Sequence, residues 1–191
     1  FISRWCHWSN SSINHKLDDK NMRKFKQHLT EFDNPQIYCD MDGVVADFLK
    51  FTNNILGARF KDEHWNDLPV DTFLQLPKMP DADVLWGYIK QFSPFMLTAI
   101  PKGGRGPITT RASKDKTRWM MKNFRLPASQ MRIVLRKNKK NFAMDGRDKR
   151  PNILIDDHKG NIRDWESAGG IGIHHTDAAS TINDLKKIGF P

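Results

Sequence analysis

Two pairs of acidic residues directly follow apolar runs that have the character of buried strands. Asp40 and Asp42 follow "QIYC", and Asp156 and Asp157 follow "NILI" much later in the chain. If both runs belong to one parallel sheet, its strands bring all four carboxylates to the same edge. Carboxylates crowded together are costly unless a cation neutralises them, and hard oxygen ligands suit Mg²⁺. The spacing therefore predicts a Mg²⁺ site formed by Asp40, Asp42, Asp156 and Asp157.

A carboxylate beside a bound Mg²⁺ is suited to chemistry on phosphate esters. It can attack phosphorus and form an acyl phosphate, which splits one difficult displacement into two easier ones. The metal offsets the charge on the phosphoryl oxygens. Gly43 follows Asp42 and lets the chain turn away sharply, which leaves backbone N–H groups near the anion. We therefore expect Gly43 to take part in substrate binding.

Two further features agree with phosphoryl transfer. Thr98 ends the run "PFMLT", where its hydroxyl would donate a hydrogen bond to a phosphoryl oxygen. A lysine cluster at Lys137, Lys139 and Lys140 precedes the second acidic pair, and one ammonium would pair with phosphate and nucleophile. An acidic turn after a strand is common by itself, so the prediction depends on the combination.

From Gln36 onwards, short apolar runs alternate with amphipathic segments. Strands are predicted at "QIYCDM", "PFMLTA", "MRIVLR", "NILID" and "GIGIHH". Helices are predicted at "VVADFLKFTNNIL", which Gly57 ends, and over 113–124, 138–144, 160–168 and 176–188, with Ser113 and Thr176 as N-caps and Gly189 as a C-cap. This alternation predicts an α/β fold, a Rossmann-like core whose mainly parallel sheet is covered on both faces.

Residues 59–93 interrupt the alternation with several prolines and aromatic residues. They predict a small helical cap of about 47–93, inserted after the first strand of a domain over 36–191. Aromatic residues at helical spacing more often belong to a core than to a binding site. The aromatic residues of this region are Phe48, Phe51, Phe60, Trp65, Phe73, Trp86 and Phe92.

The segments "DMDGVVADF", Thr98, the lysine cluster and "ILIDD" resemble, in order, the four motifs of the haloacid dehalogenase phosphohydrolase superfamily. Within it, "DMDGV-x-ADF" with "LIDD" looks most like the 5′(3′)-deoxyribonucleotidase branch, including its phage-type members. The segment "LTAIP" followed by Lys116 and Trp119, and "NIRDWESAGGIGIHH" after the Asp pair, look similar to those phage-type sequences. The resemblance covers about 36–188.

The resemblance implies a role for each motif residue. Asp40 would be the nucleophile, and Asp42 the general acid and base, with its backbone carbonyl on the metal. Thr98 would hold the phosphate, and Asp156 and Asp157 would complete the Mg²⁺ site directly or through water. The third motif has one lysine in family members, and the spacing leaves Lys139 and Lys140 open. Lys139 is slightly favoured because it shares a helical face with Phe142 and Ala143, and Lys149 is a more distant candidate.

In the deoxyribonucleotidases, aromatic residues of the cap stack on the base, which implies a nucleoside monophosphate as substrate. Trp65, in the polar stretch "DEHWNDLP", is the best single candidate for that contact. The glycine-rich loop "KGGRGPITTR" carries Lys102 and Arg105, which we expect to gather the anionic substrate. The same loop could follow a nucleic-acid backbone, so a phosphatase of nucleic-acid ends remains an alternative.

The charge is distributed unevenly along the 191 residues. The formal net charge is +9, but residues 102–150 hold sixteen lysines and arginines against three acids, a net of +13. Such a block favours an anionic partner, although a solvated face has the same composition. A virion or DNA-binding protein that keeps this fold without turnover is therefore a third possibility, which the four complete motifs disfavour.

The composition also bears on location. Apolar runs stay far below the about 18 residues of a membrane span, and "FISRWCHWSN" lacks the apolar core of a secretory signal. Two cysteines cannot form a disulfide framework. We expect a cytoplasmic protein with no membrane partner, in the host cytoplasm if a phage encodes it, with virion association as an alternative.

Residues 1–35 form an N-terminal extension that the catalytic motifs do not use. Met22, Phe25, Leu29 and Phe32 make one apolar stripe, which predicts an amphipathic helix over 19–32. The segment "MRKFKQHLTEF" resembles the short leaders of many tailed-phage proteins, some of which direct packaging into the head. A helix that docks on the catalytic domain is the favoured interpretation.

Overall fold

The computed structural model describes residues 35–103, 107–146 and 149–191. Five parallel strands form one sheet in the order β3-β2-β1-β4-β5. Their bounds are β1 Ile37–Cys39, β2 Phe95–Ile100, β3 Met131–Leu135, β4 Ile153–Asp156 and β5 Ile171–His174. The order reverses between β1 and β4, so these two strands open a crevice at their carboxyl ends.

Six α-helices are described, namely α1 Phe48–Leu56, α2 Thr72–Gln75, α3 Ala82–Ile89, α4 Pro107–Phe124, α5 Lys159–Ser167 and α6 Ala178–Lys187. Short 3-10 segments lie at Asp62–Asp67, Lys90–Phe92, Ala128–Gln130 and Arg136–Phe142. Helix α5 packs on β5, and α3 packs on α6.

Both faces of the sheet are covered. Tyr38, Leu97 and Leu154 point to one face and pack with Ile162 and Trp165 of α5. The alternate strand residues Ile37, Cys39, Met96, Ile153 and Ile155 are also buried and must point to the opposite face, because side chains alternate along a strand. The predicted fold class, an α/β core with a parallel sheet and helices inserted after the first strand, is confirmed.

The five predicted strands are present, but several predicted helix ends are wrong. Gly57 does end α1 in the left-handed conformation. Helix α4 is already helical at Pro107, so Ser113 is not its N-cap. Asp177, and not Thr176, caps α6, since its carboxylate accepts from the Ser180 N–H at 2.8 Å. A carboxylate one residue later competes successfully with the threonine hydroxyl. The predicted helix over 138–144 is instead the 3-10 segment Arg136–Phe142.

The insertion between β1 and β2 divides into two parts by its packing. Helix α3 buries Leu85 and Ile89 and packs on α6, so it belongs to the layers around the sheet. The earlier part carries α1, α2 and the 3-10 segment Asp62–Asp67, and it is fastened to α4 through a bond of 2.7 Å from the Trp119 indole to the Leu76 carbonyl. The part that faces the functional site is therefore smaller than the predicted cap of 47–93.

Two predictions about the ends of the chain have separate outcomes. The predicted helix over 19–32, with its resemblance to phage leaders, lies outside the described residues. Among the helices that are described, none is long and apolar enough to cross a membrane.

Candidate active site

Asp40 lies directly after β1, at the point where the chain leaves the sheet. Its N–H still donates to the Ile155 carbonyl at 2.9 Å, so its backbone continues the pairing with β4. Its Oδ1 accepts from the N–H of Met41 at 2.8 Å, and its Oδ2 lies 2.7 Å from the Lys139 ammonium. The carboxylate is therefore fixed at both oxygens and almost completely buried.

Lys139 is the lysine that joins the acidic cluster. Its Nζ lies 2.7 Å from Asp40 Oδ2 and 2.7 Å from Asp156 Oδ2, and its side chain is 2% exposed. Burial lowers the pKa of Lys139, but the two carboxylates outweigh it and leave the pKa raised, so the lysine is charged. Lys140 and Lys149 are exposed. Of the lysines that the sequence left open, the geometry selects Lys139.

Asp156 is held by several donors at once. The His158 N–H donates to Oδ1 at 2.9 Å, and the Asn161 amide lies 2.9 Å from both carboxylate oxygens, in addition to the contact with Lys139. Burial and the nearby Asp40 charge raise the pKa of Asp156 to about 6. The Asp156 carboxylate is therefore held in a fixed position. Asn161, which the sequence analysis did not single out, is one of the residues that hold it.

Asp157 approaches the loop that follows β1. Gly43 has a φ of 79°, and a Cβ at this position would overlap the Asp157 carboxylate. Burial and the charges of Asp40 and Asp156 raise the pKa of Asp157 to about 7. Surrounding groups thus leave its negative charge largely uncompensated. Gly43 lines the cavity, and its lack of a side chain makes room for Asp157; its part in substrate binding stays a prediction.

Three of the four predicted metal-binding carboxylates meet in one cluster. Asp40, Asp156 and Asp157 each offer an oxygen within 4.8 Å of the others. Asp42, the fourth, is turned towards Lys116 of α4, with which its Oδ2 forms an ion pair. Its side chain therefore belongs to a different set of contacts from the one predicted for a metal site of four carboxylates, and the implied role of its backbone carbonyl stays a prediction.

Thr98 lies in β2 and is buried with Lys116 against it. The Lys116 ammonium donates to Thr98 Oγ1 at 2.8 Å, which leaves the hydroxyl proton free for another acceptor. The predicted bond from Thr98 to phosphate stays a prediction. Lys116 was noted only as part of a resemblance. Its position between Ala112 and Trp119 on the buried stripe of α4 is the signal that could have revealed it.

A cavity of about 770 Å³ opens beside the carboxylates and is walled by four aromatic side chains, those of Phe48, Phe60, Trp65 and Phe73. Trp65 packs on Phe60 with ring centroids 5.0 Å apart and on Phe48 at 5.7 Å. Trp86 and Phe92 of the insertion pack elsewhere, on Phe124 and on Phe190. Trp65 therefore lines the cavity, and its stacking on a base stays a prediction.

Exposed basic side chains line the mouth of this cavity. Lys102 is among them, together with Lys61, Arg136 and Lys137, and its predicted role in gathering the anionic substrate stays a prediction. Arg105, the other predicted anion-binding residue of that loop, lies outside the described residues. The described lining of the cavity thus combines buried carboxylates, aromatic rings and exposed basic side chains.

No protein family and no curated protein matches the chain. Among solved structures, it is similar to a hydrolase from Streptococcus pneumoniae TIGR4, at 10% identity and a TM-score of 0.44, covering 81% of this chain and 100% of that one. It is also similar to a hydrolase from Pseudomonas syringae, at 13% identity and a TM-score of 0.40, covering 81% and 99%. Matches at these TM-scores establish no function, so the chemistry is inferred from the site.

Proposed function

We propose that the protein is a Mg²⁺-dependent phosphatase of deoxynucleoside monophosphates, of the haloacid dehalogenase type. The observation that carries this proposal is the setting of Asp40. Its carboxylate is buried, held at Oδ1 by the Met41 N–H and at Oδ2 by Lys139, and lines a cavity with aromatic walls. A carboxylate fixed in this way is suited to act as a nucleophile, because little reorganisation precedes its attack.

The carboxylate cluster fits a hard divalent cation. The raised pKa of Asp157 indicates negative charge that the protein does not compensate, and the donors are the oxygen ligands that Mg²⁺ prefers. Asp40 and Asp157 would hold the ion directly, with the Asp42 carbonyl as the resemblance implies. Asp156 would act through water, because its oxygens already accept from Lys139, His158 and Asn161. When bound, Mg²⁺ supplies charge compensation at the phosphoryl oxygens.

The reaction then proceeds in two steps through the residues of the chain. Asp40 attacks phosphorus, its bond to phosphorus forms, and the ester bond breaks while Asp42 gives its proton to the leaving oxygen. Asp42 next takes a proton from water, which attacks the same phosphorus and displaces the Asp40 carboxylate. Lys139 balances charge on Asp40 throughout, since it is buried between Asp40 and Asp156.

The aromatic walls support a nucleoside as the alcohol part of the substrate. Phe48, Phe60, Trp65 and Phe73 line the same cavity as Asp40. A volume of about 770 Å³ lies in the range of small-molecule sites. Aromatic faces stabilise bases by stacking, which tolerates different bases.

A second candidate is a phosphatase that acts on the phosphorylated ends of nucleic acids. The exposed basic residues at the cavity mouth favour it, because further phosphates of a strand would pass beside them. Such contacts weaken steeply with salt, whereas the contacts of a single monophosphate change little.

The test is phosphate release from deoxynucleoside 5′- and 3′-monophosphates and a 3′-phosphorylated oligonucleotide, with Mg²⁺ or with EDTA. The variant Asp40→Asn is compared with Asp184→Asn, which makes the same change at a surface ion pair with Lys187. We expect metal-dependent release from the monophosphates that Asp40→Asn abolishes and Asp184→Asn preserves. Release from the oligonucleotide alone would favour the second candidate. No release from any substrate would overturn both and favour a non-catalytic DNA-binding or virion role.

A further inference from the structure

Lys116 is a buried lysine outside the acidic cluster of Asp40, Asp156 and Asp157. Its side chain is 0% exposed, although it lies in the middle of α4. A buried ammonium is costly unless it is paired and hydrogen-bonded. Lys116 meets this requirement with an ion pair to Asp42 Oδ2 and a hydrogen bond of 2.8 Å to Thr98 Oγ1.

A third contact comes from the insertion. The Lys116 ammonium lies 4.6 Å from the centroid of the Phe73 ring, a cation–π distance. Phe73 is in α2, and its ring also lines the cavity. Lys116 thus joins three separate parts of the site, which are the loop after β1, strand β2 and the aromatic wall.

Helix α4 cannot shift easily to release these contacts. Trp119 lies three residues after Lys116, on the same side of the helix, and donates to the Leu76 carbonyl at 2.7 Å. This bond is buried, so the helix and the insertion hold a fixed relative position at this point. The Lys116 ammonium is therefore held against Asp42 by a helix whose position is fixed at this point.

The two buried lysines serve different carboxylates. Lys139 pairs with Asp40 and Asp156, and it lines the cavity. Lys116 pairs with Asp42, and it is absent from the described residues that line the cavity. A substrate phosphate would thus meet Lys139, while Lys116 remains behind Asp42.

We infer that Lys116 is a positioning residue that holds Asp42 in place for proton transfer, an inference that rests on the proposed phosphatase function. Lys116 engages Asp42 Oδ2 and so fixes the carboxyl group, whereas Asp42 Oδ1 is buried and has no hydrogen-bond partner among the described residues. In the proposed reaction, the carboxyl group held in this way gives a proton to the leaving oxygen in the first step and takes one from water in the second.

The test compares two substrates that differ in their need for an acid. A deoxynucleoside monophosphate releases an alkoxide, which must be protonated, whereas p-nitrophenyl phosphate releases a stable phenolate. For Lys116→Met, we expect kcat on the monophosphate to fall about 100-fold or more while KM changes little, since the residue lies behind Asp42. We expect the first turnover of p-nitrophenyl phosphate to be nearly unaffected, followed by slow hydrolysis of the aspartyl phosphate, seen as a burst of p-nitrophenol.

Lys114→Met is the matched control, because Lys114 is exposed on the same helix, and it should behave as the wild type. Lys116→Arg keeps the charge, and we expect it to recover at least about 10-fold of the lost kcat on the monophosphate. If Lys116→Met does not fold, Lys116→Arg should still lose more of the first-turnover rate on the monophosphate than on p-nitrophenyl phosphate, with KM unchanged.

Equal losses of the first-turnover rate on both substrates, or a large rise in KM, would overturn the inference and leave the proposed function standing. A wild-type protein that releases phosphate from neither substrate would overturn the proposed function, and the inference with it. The wild-type measurement therefore separates the two failures.

Discussion

Gly43 and Asp157 lie so close together that the site has no room for a side chain between them. Gly43 lies in the loop after β1 with a φ of 79°, and a Cβ there would overlap the Asp157 carboxylate. Gly43 lies in the first of the four motif segments and Asp157 in the last, yet each limits the space available to the other. The glycine is therefore required by the carboxylate cluster as much as by the turn.

The variant Gly43→Ala should be both less stable and less active. We expect the free energy of unfolding to fall by about 1–3 kcal/mol, because alanine disfavours this backbone conformation and its Cβ displaces Asp157. Urea unfolding and phosphate release measure the two effects. Gly87→Ala is the control, since a Cβ there meets no atom within 4 Å and Gly87 lies within α3. A Gly43→Ala protein with wild-type activity would contradict the proposed cluster.

Removing Lys139 should damage stability and activity together. In Lys139→Met, Asp40 loses its only ion-pair partner among the described residues, and Asp156 loses a donor. We expect the free energy of unfolding to fall by about 3–5 kcal/mol, the usual cost of leaving a buried charge unpaired. Lys140→Met, which changes an exposed neighbour, should stay within about 0.5 kcal/mol in the same urea titration. Similar losses in the two variants would mean that the assignment of Lys139 is wrong.

Trp65 should contribute to binding only when the substrate has a base. For Trp65→Ala, we expect kcat/KM on a deoxynucleoside monophosphate to fall about 10-fold or more, in line with the usual strength of base stacking. Deoxyribose 5-phosphate has no base, so its kcat/KM should change little. Initial-rate measurements on the two substrates check this, and an equal loss on both would show that Trp65 is structural.

The metal-free protein should lose stability as the pH rises. The pKa of Asp157 is about 7 in the folded state, mainly because of burial, and returns to its ordinary low value on unfolding. The folded state therefore binds more protons between these values, and the contribution of Asp157, greatest at about pH 4 and below, is lost by about pH 7.

The difference between the wild type and Asp157→Asn isolates this effect from the other carboxylates. In EDTA, we expect the wild type to lose on the order of 4 kcal/mol relative to the variant across this range. Thermal unfolding at several pH values measures it. Added Mg²⁺ should raise the Tm of the wild type more at pH 8 than at pH 5. A pH-independent difference would show that the Asp157 charge is compensated within the protein.

The sequence allowed the sheet and the carboxylates to be predicted because both depend on local patterns. Apolar runs of strand length mark β1 and β4, and the acidic residues follow them directly, so parallel pairing alone brings Asp40 near Asp156. The choice between Lys139 and Lys140 could not be made from the local sequence. It depends on the 3-10 geometry of Arg136–Phe142, which the amino-acid pattern does not distinguish from an α-helix.

The parts of the site that were missed come from tertiary contacts. Lys116 contacts Thr98 and Asp42 because the fold places this part of α4 next to β2 and the loop after β1. Asn161 supports Asp156 through the start of α5, and its amide carries no motif. The position of α3 also depends on tertiary packing. This helix belongs to the insertion, but it packs on α6, which the amino-acid pattern does not specify.

The indole of Trp119 fastens the insertion at Leu76, part of the way along it. Such a segment cannot swing as a rigid lid without breaking a buried hydrogen bond and separating Phe73 from the Lys116 ammonium. A ligand then binds only if it fits the existing shape of the cavity. Because the aromatic walls are already ordered in the folded protein, binding does not carry the entropy cost of ordering them. We therefore expect the ligand-free and ligand-bound proteins to differ little in this region.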